Sequence, residues 1–198
     1  MTGPVVAPDG LARCPWGASA PDYVAYHDDE WGRPVHGTPA LYERLCLEAF
    51  QSGLSWLTIL RKRPAFRAAF AGFDPARVAG FDEHDVRRLL ADAGIVRNRA
   101  KIEATIANAQ AVLALDGDLD ELLWSFAPAA DRPAPVTGAD VPAVTVESTA
   151  MAKALKRAGF RFVGPTTAYA LMQATGMVND HLAGCAFRKR PSSERPLS

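Results

Sequence analysis

One acid stands where apolar residues dominate. The stretch Leu45-Cys-Leu-Glu-Ala-Phe-Gln-Ser-Gly-Leu-Ser-Trp56 places a single carboxylate, Glu48, inside a run of large hydrophobic side chains. Read as a helix over 40–52, it gathers Leu41, Leu45, Ala49 and Phe50 on a packing face, with Glu48, Gln51 and Ser52 on a polar strip beside it. Helix stability does not account for a negative charge in the last turns, where the dipole opposes it. A carboxylate so placed could fix the edge of a ligand; a solvated surface acid is the plainer alternative.

Aromatic residues crowd the sequence on both sides of Glu48: Trp16, Tyr23, Tyr26, Trp31 and Trp56. Large aromatics usually belong to a core, and at least two of the five are expected to do only that. The functional alternative is a pocket for a flat, electron-poor ring, held by stacking and cation–π attraction while a carboxylate fixes its edge. An alkylated nucleobase answers that description.

Two further groups could do chemistry. His181 and Cys185 are four residues apart and would share one helix face, while Cys14 and His27 offer a second pair. Together they would form a closed tetrahedral zinc site with no open position for a catalytic water. The order Cys, His, His, Cys is not that of a finger, and from spacing alone four unrelated residues remain an alternative. The other group is the stretch from Asp92 to Ile102, a glycine-containing turn between helices with Arg97, Arg99 and Lys101 on its flank. Helix N-terminal amides and cations suit phosphate, giving contacts that position DNA without reading its sequence. Solvated arginines on an ordinary turn are the alternative; Arg61, Lys62, Arg63, Lys153, Lys156 and Arg157 could extend the basic surface or equally be ordinary helix faces.

The elements that must position these residues are helical. Beyond the short helix expected near Tyr23 to Asp29, the spacing predicts helices over 40–52, 55–62 and 64–71, the last two separated by Pro64. Asp82 caps a helix over 83–92, Gly94 breaks the chain, and Arg99 to Leu115 resumes with Ile102, Ile106, Ala109 and Leu113 in phase. A short turn over 121–126, a helix capped by Ser148 to about Ala158, one from Pro165 to Thr175, and a last short helix holding His181 and Cys185 complete the series. No segment alternates as a strand, so the fold class is all-α. Residues 1–12 and 189–198 read as flexible tails, and 127–144, with four prolines, as an exposed crossing loop. Cys46 reads as a small core residue; His36 and His84 have no evident role.

Composition excludes several classes. With 198 residues, 48% hydrophobic and 22% charged, the chain is globular and has no run long enough to span a membrane. Three cysteines argue against a disulfide framework, and the first residues lack a leader pattern, so a cytoplasmic location is expected. Acids and bases balance at 22 each, so any polyanion must be met locally.

Long ordered strings then resemble a known family. Arg13-Cys-Pro-Trp-Gly17, Tyr23-Val-Ala-Tyr-His-Asp-Asp-Glu-Trp-Gly32, Leu47-Glu-Ala-Phe-Gln-Ser-Gly-Leu-Ser-Trp56, Leu123-Trp-Ser-Phe126, Gly159-Phe-Arg-Phe-Val-Gly164 and Val178-Asn-Asp-His181 are similar to the 3-methyladenine DNA glycosylase I family. The resemblance covers about Arg13 to Arg188 and implies one helix-hairpin-helix glycosylase domain over 13–188, acting in base-excision repair. Its implied substrate is double-stranded DNA carrying 3-methyladenine, its products an abasic site and free 3-methyladenine. It implies a structural zinc on Cys14, His27, His181 and Cys185, Glu48 on the adenine edge, and aromatic walls from Tyr23, Tyr26 and Trp56, with Trp16 and Trp31 near them. Gln51 and Leu54 would fill the gap left by the extruded nucleotide, and Gly94, Arg97, Arg99 and Lys101 would face the DNA backbone. Ala100 stands where some members have glycine, and the catalytic aspartate of wider relatives is absent, which leaves Asp116, Asp118 and Asp120 without a role. A monomer is expected. A non-catalytic reader of alkylated bases on the same fold is the rival reading.

Overall fold

The computed structural model describes residues 2–130 and 132–188, so the tail expected over 189–198 lies outside the described residues. The chain divides into two compact units, of which the first takes in the chain up to Pro34, residues 128–143 and the chain from Gln173. Its N-terminal residues, expected to be loose, pair β1 (Val5–Val6) with β2 (Ala12–Arg13) in a short antiparallel hairpin. These strands are too short to alternate, which is why the sequence does not announce them. What anchors the hairpin is Arg13: its buried guanidinium bonds Asp9 and Asp28, each at 2.7 Å, and Asp28 belongs to α1 (Pro21–Asp29).

Beyond α1 and the end of α9, most of the described residues of the first unit follow turns and irregular backbone. The proline-rich stretch includes a tight turn at Gly138–Asp140, held by a reciprocal capping box between Thr137 and Asp140. Farther on, the short helix expected around His181 and Cys185 is absent. Asn179 accepts from the His181 amide at 3.3 Å, but the chain then follows turns, with the Cys185 amide on the Leu182 carbonyl at 2.9 Å. Here Arg188 takes the carbonyls of Asn179 and His181.

The second unit spans Val35–Ala127 and Val144–Met172. It contains α2 (Thr38–Gln51), α3 (Trp56–Ala69), α4 (Pro75–Val78), α5 (Glu83–Ala91), α6 (Arg99–Leu113), α7 (Leu119–Trp124), α8 (Val146–Arg157) and most of α9 (Pro165–Ala174). α2 packs on α3, α6 and α7, and α6 on α4 and α5. Fully buried Phe50, Phe66, Phe70 and Phe73 run through this core, with successive ring centroids 4.6, 6.3 and 5.6 Å apart. Full burial of one such ring is favourable by roughly 1.5–3 kcal/mol.

Pro64 does not divide two helices, as expected, but lies inside α3. Its ring forfeits one backbone bond, and the buried Ile59 and Phe66 on either side hold the helix to the core regardless. Thr145, not Ser148, caps α8, with Ser148 as the reciprocal partner in the box. Asp82 caps α5 as read from the sequence. Among the described residues no helix is long and apolar enough to cross a membrane.

Candidate active site

α2 is amphipathic by position, and it carries Glu48 inward. The side chain is only 5% exposed. Burial pushes its carboxyl from the ordinary 4.5 up to about 8, while Arg44, one turn earlier, pulls more weakly the other way; no hydrogen bond from a described residue reaches it. A buried carboxyl left unbonded is costly, so the fold holds an acceptor ready for something else. α2 ends at Gln51, and Gly53, at φ 82°, turns the chain in a conformation that suits glycine. The Leu54 amide reaches back to the Gln51 carbonyl at 2.6 Å, and Ser55 caps α3 by accepting from the Thr58 amide at 3.3 Å. Leu54, 41% exposed, thus stands out at the tip of a tight turn, with half-buried Trp56 opening α3 behind it.

The hairpin expected to meet phosphate joins α5 to α6. Asn98 caps α6 by accepting from the Lys101 amide at 3.1 Å. Arg97 is exposed, and Arg99 is exposed with ion pairs to Glu83 at 3.0 Å and Glu103 at 3.2 Å. Lys101 departs from the expectation. It is 7% exposed, and its ammonium donates to the carbonyls of Phe50 at 2.8 Å and Ser52 at 2.6 Å rather than facing solvent. Burial pushes its pKa down. Gly94 is needed for packing: a Cβ there would come within 2.9 Å of both the Ala65 methyl and the Asp92 carboxylate, and that carboxylate accepts from the Gly94 amide at 2.7 Å.

Within the first unit the four expected ligands converge. Cys14, His27, His181 and Cys185 are all buried, with their ligand atoms within 4.8 Å of one another. His27 Nε2 lies 3.2 Å from His181 Nδ1, and Cys185 Sγ lies 3.6 and 3.5 Å from those two nitrogens. A tetrahedral ion with these donors has edges of about 3.3 Å between nitrogens and about 3.6 Å between nitrogen and sulfur. The outward nitrogens agree. His27 Nδ1 sits 2.8 Å from Asp28, and His181 Nε2 sits 3.2 Å from the Trp31 carbonyl, so each ring holds its proton outward and turns a lone pair inward. Two lone pairs facing each other repel unless a cation lies between them, so the donor set fits a metal ion.

Trp16 packs on this cluster and collects the neighbouring aromatics. Its ring lies 5.6 Å from Tyr23, 6.3 Å from Tyr26, 5.2 Å from His27 and 4.9 Å from Trp31. Tyr26 and Trp31 are buried, while Trp16 and Tyr23 are half-buried. Cys46 is buried in the core, as read.

Several residues escaped the sequence reading. Asp28 orients His27 and binds Arg13; its place next to a candidate ligand was the available signal. Arg44 moderates Glu48 from one turn away. His36 also has a partner, bonding Asp120 at 3.0 Å and stacking on Trp124 at 4.5 Å. Asp118 caps α7 and takes the Thr38 hydroxyl at 2.6 Å, so both aspartates are engaged in structure.

The mostly helical chain carries a buried, unbonded carboxyl and, separately, a Cys/His set that could hold a metal ion. The chain belongs to the methyladenine glycosylase family, whose family model matches residues 16–189. It is 46% identical over 179 residues to DNA-3-methyladenine glycosylase 1 of Escherichia coli strain K12, covering 88% of this chain and 96% of that one. The fold is similar to a crystal structure of 3-methyladenine DNA glycosylase I, with a TM-score of 0.85, 47% identity, and coverage of 88% of this chain and 98% of that one. It is similar also to a tyrosine-to-phenylalanine variant of 3-methyladenine DNA glycosylase I in complex with 3-methyladenine, with a TM-score of 0.84, 35% identity, and coverage of 90% and 98%.

Proposed function

We propose that this chain is a DNA-3-methyladenine glycosylase of base-excision repair, acting on double-stranded DNA. The observation that carries the reading is Glu48: a buried acceptor without a hydrogen-bond partner among the described residues, on a chain of this family. Methylation at N3 makes the purine cationic, so it leaves as a neutral base and needs little acid catalysis. The protein's task is to extrude the nucleotide, at roughly a few kcal/mol, and to recognise the base outside the stack. Glu48 accepts from the amino edge of the base. Its burial keeps the acid largely neutral at pH 7 until the cationic base arrives, and the ion pair then formed in a water-poor site is stronger than one in water.

Water attacks the sugar carbon, the glycosidic electron pair leaves with the base, and the water's proton passes to solvent. An abasic site and free 3-methyladenine remain. Trp56 supplies a stacking face, and the stacking role implied by the family resemblance is kept for Tyr23 and Tyr26, with Trp16 and Trp31 supporting them. Gln51 and Leu54 enter the gap in the duplex. Arg97, Arg99 and the first amides of α6, in a helix-hairpin-helix arrangement, take phosphate.

Zinc is the ion proposed for Cys14, His27, His181 and Cys185; with four protein ligands it contributes stability and no reactive water. The enzyme is taken to act as a monomer in the cytoplasm, where its three free cysteines stay reduced. The test is single-turnover incubation with methylated duplex DNA, products separated by chromatography. Release of 3-methyladenine by the wild type and its loss in Glu48→Gln are expected; no release by folded, zinc-loaded protein would overturn the reading.

A further inference from the structure

Two helix ends meet at one buried ammonium. Lys101 is the third residue of α6, and its Nζ donates to the carbonyls of Phe50 and Ser52 at 2.8 and 2.6 Å. These carbonyls stand at the C-terminus of α2, whose last C=O groups find no partner within the helix and form the negative end of its dipole. The two bonds fall on either side of Gln51, at the start of the turn that exposes Leu54. The Lys101 amide is meanwhile held by Asn98 at 3.1 Å, directly after Arg99 and Ala100 in the first turn of α6. A second lysine repeats the tie on the other flank. Lys62 of α3 donates to the carbonyls of Ala93 and Gly94 at 2.9 and 3.2 Å. Both helices that bracket the Ser52–Ser55 turn are therefore fastened to the hairpin.

The geometry points to Lys101 as a positioning residue that fixes the Ser52–Ser55 turn, and with it Leu54, to the end of α6 that faces phosphate. Grip on the backbone and insertion into the duplex then occur as one event, because the two parts move as one body. This deepens the proposed glycosylase reading and rests on it. A solvent-facing phosphate contact, the role first assigned to Lys101, would act on affinity; a positioning residue acts on the step after binding.

Three readouts separate these roles in full-length, zinc-loaded protein. For Lys101→Met, single-turnover release of 3-methyladenine at saturating enzyme should fall roughly tenfold or more. Affinity for a duplex holding an abasic-site analogue should stay within about threefold, with its salt dependence unchanged; a lost phosphate contact would lower the salt slope by about one. Lys101→Arg, which keeps cation and donors, should recover most of the rate. In a Leu54→Ala background, Lys101→Met should cost little more, because coupled residues are non-additive. Additive losses, a reduced salt slope or an unchanged rate would each overturn the inference. If Lys101→Met does not fold, Lys101→Gln, which is uncharged and whose nitrogen stops one atom short of the Phe50 and Ser52 carbonyls, is read in the same way. If the wild type releases no base, the activity reading fails. The inference is then decided by 2-aminopurine fluorescence beside the abasic analogue, which should report Leu54 insertion in the wild type and its loss in the Lys101 variant; equal signals would overturn it.

Discussion

Replacing Glu48 by glutamine should stabilise this protein while disabling it, and the size of the effect should depend on pH. The carboxyl titrates at 4.5 when free and at about 8 when folded. A raised acid pKa contributes stability that is fully present below 4.5 and is lost as pH rises through about 8. Over that whole gap the loss amounts to about 5 kcal/mol, with about 3 kcal/mol already gone at pH 7. Glutamine has nearly the same shape and no charge to bury. Glu48→Gln should therefore match the wild type within about 1 kcal/mol at pH 5 and exceed it by about 3 kcal/mol at pH 7 and about 5 kcal/mol at pH 9. Urea unfolding at these three pH values measures it directly, with equal slopes confirming that only stability has changed. In the wild type, kcat/KM for base release should rise with pH up to about 8 and then level as Glu48 ionises. A stability difference that does not grow between pH 5 and 9, or a flat pH profile, would refute the argument that burial of Glu48 governs both.

Three other perturbations follow from particular contacts. Metal analysis should find about one zinc per chain, and a chelator or Cys185→Ala should lower the melting temperature by several degrees or more; full stability without metal would refute the closed site. Gly94→Ala should cost about 1–3 kcal/mol in urea unfolding, because the new methyl meets Ala65 and Asp92 at 2.9 Å. Leu54→Ala should leave stability within about 0.5 kcal/mol, since the side chain is 41% exposed, yet slow base release roughly tenfold; unchanged release would remove Leu54 from the extrusion step.

Most of the helical framework is legible in the sequence, because its signals are local. Asp82 marks a helix end through bonds that reach only two or three residues, and the periodicity of α2 announces its buried face. The hairpin at Val5–Val6 and Ala12–Arg13 is not legible, because its anchor is the Arg13–Asp28 pair, fifteen residues apart. Pro64 misleads for the opposite reason: its local preference is outweighed by the packing of Ile59 and Phe66. His181 and Cys185 do converge, but through turns and the grip of Arg188, where four-residue spacing suggested a helix.

By itself, then, the sequence determined which residue types were available and the helices that carry them: a carboxylate on α2, four soft ligands, cations on a hairpin. Tertiary structure decided their states. Glu48 became a weak acid because burial in the packed chain removes its water, and Lys101 became a clamp on α2 because α6 lays it against Phe50 and Ser52. Solvation and long-range contact are properties of the packed chain, so the charge on one residue and the role of the other are set only once the helices have met.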